Sequence, residues 1–153
     1  MTDNVQHWLI LIMRLSGRAG TPRMRVWRAL RSLGAVVLRD GVYLLPASPS
    51  RREALELQVG AIRELGGNAL LIEIEESAID SVDVLPSLFD RTPDFQALRA
   101  AVVDWQQACP QLEEREAQRQ LTQLQRRLQG IVEIDFYPGS ESKRAVMALA
   151  DAE

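Results

Sequence analysis

The 153-residue chain has one histidine (His7), one cysteine (Cys109) and one lysine (Lys143). A single cysteine excludes an internal disulfide. One histidine and one cysteine cannot supply a four-ligand Cys/His zinc centre. A Ser-His-Asp or Cys-His apparatus would have to use His7, at the entry of a predicted strand, which disfavours that chemistry. Long apolar runs are also missing: none exceeds the six residues of Trp8–Met13, whereas a membrane helix needs about 20 residues. The Met-Thr-Asp-Asn start lacks the basic segment of a secretory signal, and the apolar stretch ends at Arg14. A cytoplasmic protein without a membrane partner is expected. Gly17 and Gly20 precede a helix, but the lysine and Ser/Thr of a phosphate loop are absent.

What is present is an ordinary globular composition, 46% hydrophobic and 25% charged. The length suits one domain with an appendage. The net charge of −3 hides a division. Residues 1–66 hold twice as many basic as acidic side chains, and residues 67–153 hold the reverse. Every basic residue except Lys143 is arginine, whose planar fork suits phosphates and other oxyanions. A basic front half could meet nucleic acid or a small anion. The arginine bias alone also fits a GC-rich coding sequence.

Hydrophobic spacing gives the element order. His7–Leu15 reads as a strand buried on both faces. Thr21-Pro22 reads as a helix cap and first turn, with the helix running to Leu33 and stopping at Gly34. Val26, Trp27, Leu30 and Leu33 share one side of it; Arg25, Arg28 and Arg31 fan across the other. That basic side is either a solvated face or a phosphate-binding one. Arg23 projects onto the apolar side, where it either snorkels or holds an anion near the helix start.

Ala35–Pro46 reads as a hairpin turning at Arg39-Asp40-Gly41. A helix follows over about 49–66, with Leu55, Val59 and Ile62 inward, and a strand over Asn68–Glu75. The β-α-β-β-α-β order is that of the ferredoxin-like split βαβ unit. The expected fold class is therefore α+β: a ferredoxin-like sheet domain over residues 1–76, with residues 77–153 forming a connector and a helical extension packing on it. Within the extension, Phe95, Leu98, Val102 and Trp105 keep helical spacing until Pro110. Leu121, Leu124, Leu128 and Ile131 mark a second helix to about Ile134, and Ser140 caps a short last one.

The carboxylate groups Asp80/Asp83, Glu113/Glu114/Glu116 and Glu133/Asp135 lie on connectors or exposed faces without histidine or cysteine nearby, so no metal is expected. Trp8, Trp27 and Trp105 sit among aliphatics and read as core, and Cys109 beside Pro110 reads as a packing residue.

Arg23–Ala35 (RMRVWRALRSLGA) and Leu38–Pro46 (LRDGVYLLP), with the Trp8-Leu-Ile-Leu-Ile start, resemble the N-terminal domain of the chromate resistance protein ChrB family. Leu88-Phe-Asp-Arg91 and the stretch from Leu128 through Asp135-Phe-Tyr-Pro138 agree with it. The helix-plus-hairpin pattern is also similar to the middle domain of phenylacetate-responsive repressors and, more distantly, to the small nucleases of CRISPR adaptation. The resemblance implies a chromate-responsive regulator of a chromate resistance operon. The nucleases end their first strand in a metal-binding aspartate; here those positions are Met13, Arg14 and Leu15, which counts against an enzyme. Longer members carry a further C-terminal domain that this chain does not reach.

Under that reading Arg25, Arg28, Arg31, Arg51 and Arg52 would contact DNA phosphates, which confer affinity without base selectivity. No helix-turn-helix is evident. Arg14, Arg18 and Arg23 would hold chromate or another oxyanion where the strand end, loop and helix start converge. No cofactor is implied, and a homodimer is expected. The alternatives are an oxyanion-sensing or dimerisation module without DNA binding, or a metal-dependent nuclease.

Overall fold

The computed structural model describes residues 6–15 and 20–153. The chain divides into two compact units, Met1–Leu88 and Phe89–Glu153.

Among its described residues the first unit is a sheet with two long helices. β1 (His7–Arg14) pairs antiparallel with β3 (Val42–Pro46) on one side and β4 (Asn68–Glu75) on the other. β2 (Val36–Arg39) pairs with β3, giving the order β2-β3-β1-β4. Alternation along β1 decides which side chains meet the helices. Leu9 and Leu11 are buried with Leu45 against Val26 and Leu30 of α1 (Gly20–Ser32) and Leu55, Val59 and Ile62 of α2 (Pro49–Glu64). Each fully buried leucine contributes about 1.5–3 kcal/mol. Ile10 sits between Leu44 and Ile72 in the register, and Ile12 between Val42 and Leu70. They belong to the opposite face, where Ile12 and Leu70 stay largely exposed.

Two glycines make close approaches that only they allow. Gly41 turns the hairpin at φ +77°, and a Cβ there would run into the Met13 carbonyl. The Met13 N–H donates to the Gly41 carbonyl at 2.8 Å, tying hairpin to β1. Gly67 lets the chain leave α2 beside the end of β1: an added Cβ would lie 2.6 Å from the Arg14 carbonyl oxygen and 2.8 Å from Ile62 Cγ2.

Helix starts differ from their sequence reading. α1 begins at Gly20, so Thr21 lies inside the first turn rather than capping it. α2 starts as expected, with the Ser48 hydroxyl accepting from the Arg51 N–H at 3.1 Å and Pro49 following. Residues 76–88 carry two short 3₁₀ turns and α3 (Leu85–Leu88). Pro93 lies in the first turn of α4 (Thr92–Ala108), where a missing N–H breaks no helical bond. Ser140 is likewise the first residue of its helix, with Gly139 in the capping position.

The second unit is three helices: α4, α5 (Glu114–Glu133) and α6 (Ser140–Ala152). Phe95, Leu98, Ile131 and Ala145 form one buried cluster, and Val102, Leu121 and Leu149 another; Leu124 and Leu128 border both. The indole N–H of Trp105 donates to the Ala117 carbonyl at 3.1 Å. Residues 131–133 are helical, so the alternation of Val132, Ile134 and Phe136 marks no strand. Among the described residues no helix is long and apolar enough to cross a membrane.

Candidate functional site

α1 buries Val26 and Leu30, which turns Arg25, Arg28 and Arg31 outward. Among the described residues no carboxylate lies within ion-pair distance of these three. The Arg31 guanidinium lies 5.1 Å from the centre of the Trp27 ring, a cation–π contact. Trp27 is not core: it is 39% exposed, because Val26 and Leu30 already fill the buried stripe.

Arg51 and Arg52 of α2 are held by the protein itself. Arg51 Nη1 donates to the Pro46 carbonyl at 3.4 Å, and burial lowers its guanidinium pKa. Arg52 pairs with Glu56 at 3.2 Å and with Glu73 of β4. His7 Nδ1 lies 3.7 Å from the same Glu73. Arg51 and Arg52 thus tie α2 to the sheet, whereas the α1 arginines remain open to a ligand.

Two of the expected oxyanion residues fall at a cavity of about 830 Å³ formed by the end of β1, the first turns of α1 and the hairpin turn. Arg14 and Arg23 both line it. Arg18 lies outside the described residues. Asp40 and Tyr43 of the hairpin, and Met24 and Trp27 of α1, complete the walls. Burial raises the Tyr43 hydroxyl pKa, Asp40 raises it further, and Arg23 opposes both. The phenol therefore remains a hydrogen-bond donor at neutral pH. Asp40 carries a sequence signal, but only as a turn residue; its place opposite two arginines follows from the hairpin folding back on Met13.

In the second unit two distant segments meet. Phe89 packs against Phe136 and Tyr137, with centroids at 5.5 and 6.3 Å. Arg91 Nε donates to the Ile134 carbonyl at 3.4 Å. Asp90 accepts from the Thr92 N–H at 3.0 Å just before α4, which lowers its carboxyl pKa. Glu141 joins Arg99 and Arg144 at 3.1 and 2.7 Å. Among the described residues no three His, Cys, Asp or Glu side chains are grouped to hold a metal ion.

A family profile described as "Protein ChrB, N-terminal" matches residues 23–153. The chain belongs to this family. The match takes in α1 with its arginines, the hairpin, and both aromatic segments that meet at Phe89 and Phe136. A curated relative, Protein ChrB of Cupriavidus metallidurans, is 29% identical over 144 residues, covering 94% of this chain and 44% of the relative. The chain therefore spans less than half the length of that ChrB protein. No solved structure matches it. Of the residues singled out from sequence, Arg14 and Arg18 precede the ChrB family match, while Arg23, Arg25, Arg28, Arg31, Arg51 and Arg52 lie within it.

Proposed function

We propose that this ChrB-family chain is a chromate-responsive regulatory protein of a chromate resistance operon, and that α1 contacts DNA through Arg25, Arg28 and Arg31. The observation that carries the reading is the outward row of three arginines, free of carboxylate partners among the described residues. Such a row neutralises phosphates and releases counterions. We assign no catalytic role to the chain and place it in the cytoplasm. The β2-β3-β1-β4 order with two helices on one face supports a ferredoxin-like unit. Such a unit has two edge strands through which a homodimer can form.

Fluorescence anisotropy tests the reading, using DNA from upstream of the operon, unrelated DNA and a salt series. The expected result is binding that prefers the operon DNA, weakens steeply with salt and is relieved by chromate. Converting Arg25, Arg28 and Arg31 to Gln should flatten the log–log salt slope by about 3, near one per phosphate contact. Absence of binding at low salt would remove the DNA role.

A second reading, an oxyanion sensor without DNA contact, is favoured by one observation: Arg14 and Arg23 line the same cavity. Chromate binding to the wild type, together with no DNA binding at low salt, would support that reading.

A further inference from the structure

The cavity at the end of β1 has walls of three kinds. Arg14 and Arg23 supply two guanidinium groups. Asp40 supplies a carboxylate, with the Tyr43 hydroxyl beside it. Trp27 and Met24, 39% and 44% exposed, supply large apolar surfaces left uncovered. The volume is about 830 Å³. Cavities of roughly 300–1,000 Å³ take ligands of drug size. A tetrahedral dianion occupies the room of only a few waters, each about 30 Å³ of liquid. It would answer the arginines, leave Trp27 and Met24 wet, and be repelled by Asp40.

A ligand that satisfies every wall needs an anionic end, an aromatic body and an N–H donor. We propose that this cavity binds a nucleoside monophosphate: phosphate on Arg14 and Arg23, base against Trp27 and Met24, and a base N–H or amine donated to Asp40. Two arginines against one carboxylate leave the walls net positive, which favours a phosphate ester over a zwitterion such as an aromatic amino acid. Indole–base stacking is tolerant of base identity, so Asp40 supplies the selection, accepting from a base that presents a donor. The Tyr43 hydroxyl, its pKa raised by burial and Asp40, is a further donor for phosphate or base. None of Arg25, Arg28 and Arg31 lines the cavity, although Arg31 contacts the Trp27 ring that does.

Isothermal titration of the full chain tests it, with AMP, GMP, CMP and UMP, and with ribose 5-phosphate, adenosine, guanosine, orthophosphate and chromate. At least one mononucleotide should bind, with the matching nucleoside and ribose 5-phosphate each about tenfold weaker or worse, because each lacks one set of contacts. Arg23→Gln should weaken binding about tenfold, and Asp40→Asn should change the order of preference among the bases. Arg115→Gln, on α5 and absent from the cavity walls, should leave affinity unchanged. Binding should quench tryptophan fluorescence in the wild type. In Trp27→Phe, which keeps an aromatic wall, calorimetric binding should persist while that quench is lost. A short 5′-phosphorylated oligonucleotide separates a free nucleotide from a strand end. Tighter binding of the strand, still lost in Arg23→Gln, would assign the same pocket chemistry to a terminus. The proposal is overturned if no mononucleotide binds below about 1 mM. It is equally overturned if orthophosphate or chromate competes as well as the nucleotide does.

Discussion

Phe89 meets Phe136 edge to face, with centroids 5.5 Å apart and ring planes at 76°. The two belong to segments more than forty residues apart, and Phe89 is fully buried. Edge-to-face pairs add about 0.5–1.5 kcal/mol beyond the area they bury. Phe89→Ala should therefore cost about 3–5 kcal/mol in urea unfolding. Phe89→Leu should recover part of that loss, since it refills volume without the ring contact. Equal losses in the two variants would deny the aromatic contribution.

Asp135 gives the second unit a signature in pH. Burial raises its carboxyl pKa, Arg91 opposes the rise, Asp90 adds to it, and the Tyr137 N–H opposes it. The folded chain thus holds this proton to a higher pH than the unfolded chain does. Its stabilising effect is complete below the ordinary carboxylate value and is lost as pH climbs through the raised folded value. Asp135→Asn should be more stable than wild type at neutral pH, with the gap closing toward acid. Thermal unfolding midpoints of both proteins across that window would show it.

Gly67 and Gly60 should respond oppositely to alanine. A Cβ at Gly67 would press on the Arg14 carbonyl, Ile62 and Leu15, while Gly60, inside α2, has nothing within 4 Å. Gly60→Ala should stabilise by about 0.4–1 kcal/mol. Gly67→Ala should destabilise by more than that, since backbone must shift to make room. Denaturant midpoints of the two variants decide it.

Arg52 should separate structural from ligand-facing arginines. Its bonds to Glu56 and Glu73 are exposed, so Arg52→Gln should cost up to about 1 kcal/mol of stability. Any DNA affinity should remain within about twofold, unlike the loss expected from the α1 variants. A large drop in affinity with unchanged stability would return Arg52 to the contact surface.

The hairpin, α2 and β4 were legible because their signals are local: Asp40-Gly41 for the turn, Pro49 for the helix start, alternation for the strand. The outward row on α1 was legible from helical period alone. The cavity was not. Arg14 and Arg23 could be named as charges near one another, but Asp40, Tyr43 and Trp27 join them only through the sheet register and the return of the hairpin onto Met13. Trp27 misled because size and apolarity suggest burial, whereas two aliphatic neighbours on its helix already fill that space. Arg51 and Arg52 read as free charges because their partners, Pro46, Glu56 and Glu73, come partly from other elements.

The register between β2 and β3 slips between Val37 and Arg39. That irregularity falls on one outer strand of the sheet, a strand of four residues. Short, bulged edges present their free N–H and C=O groups out of line and make poor templates for another chain. β4, at the opposite margin, runs eight residues in unbroken register with β1. The sheet is thus one-sided in its regularity: β4 keeps an even pitch along its whole length, whereas β2 breaks step after Val37.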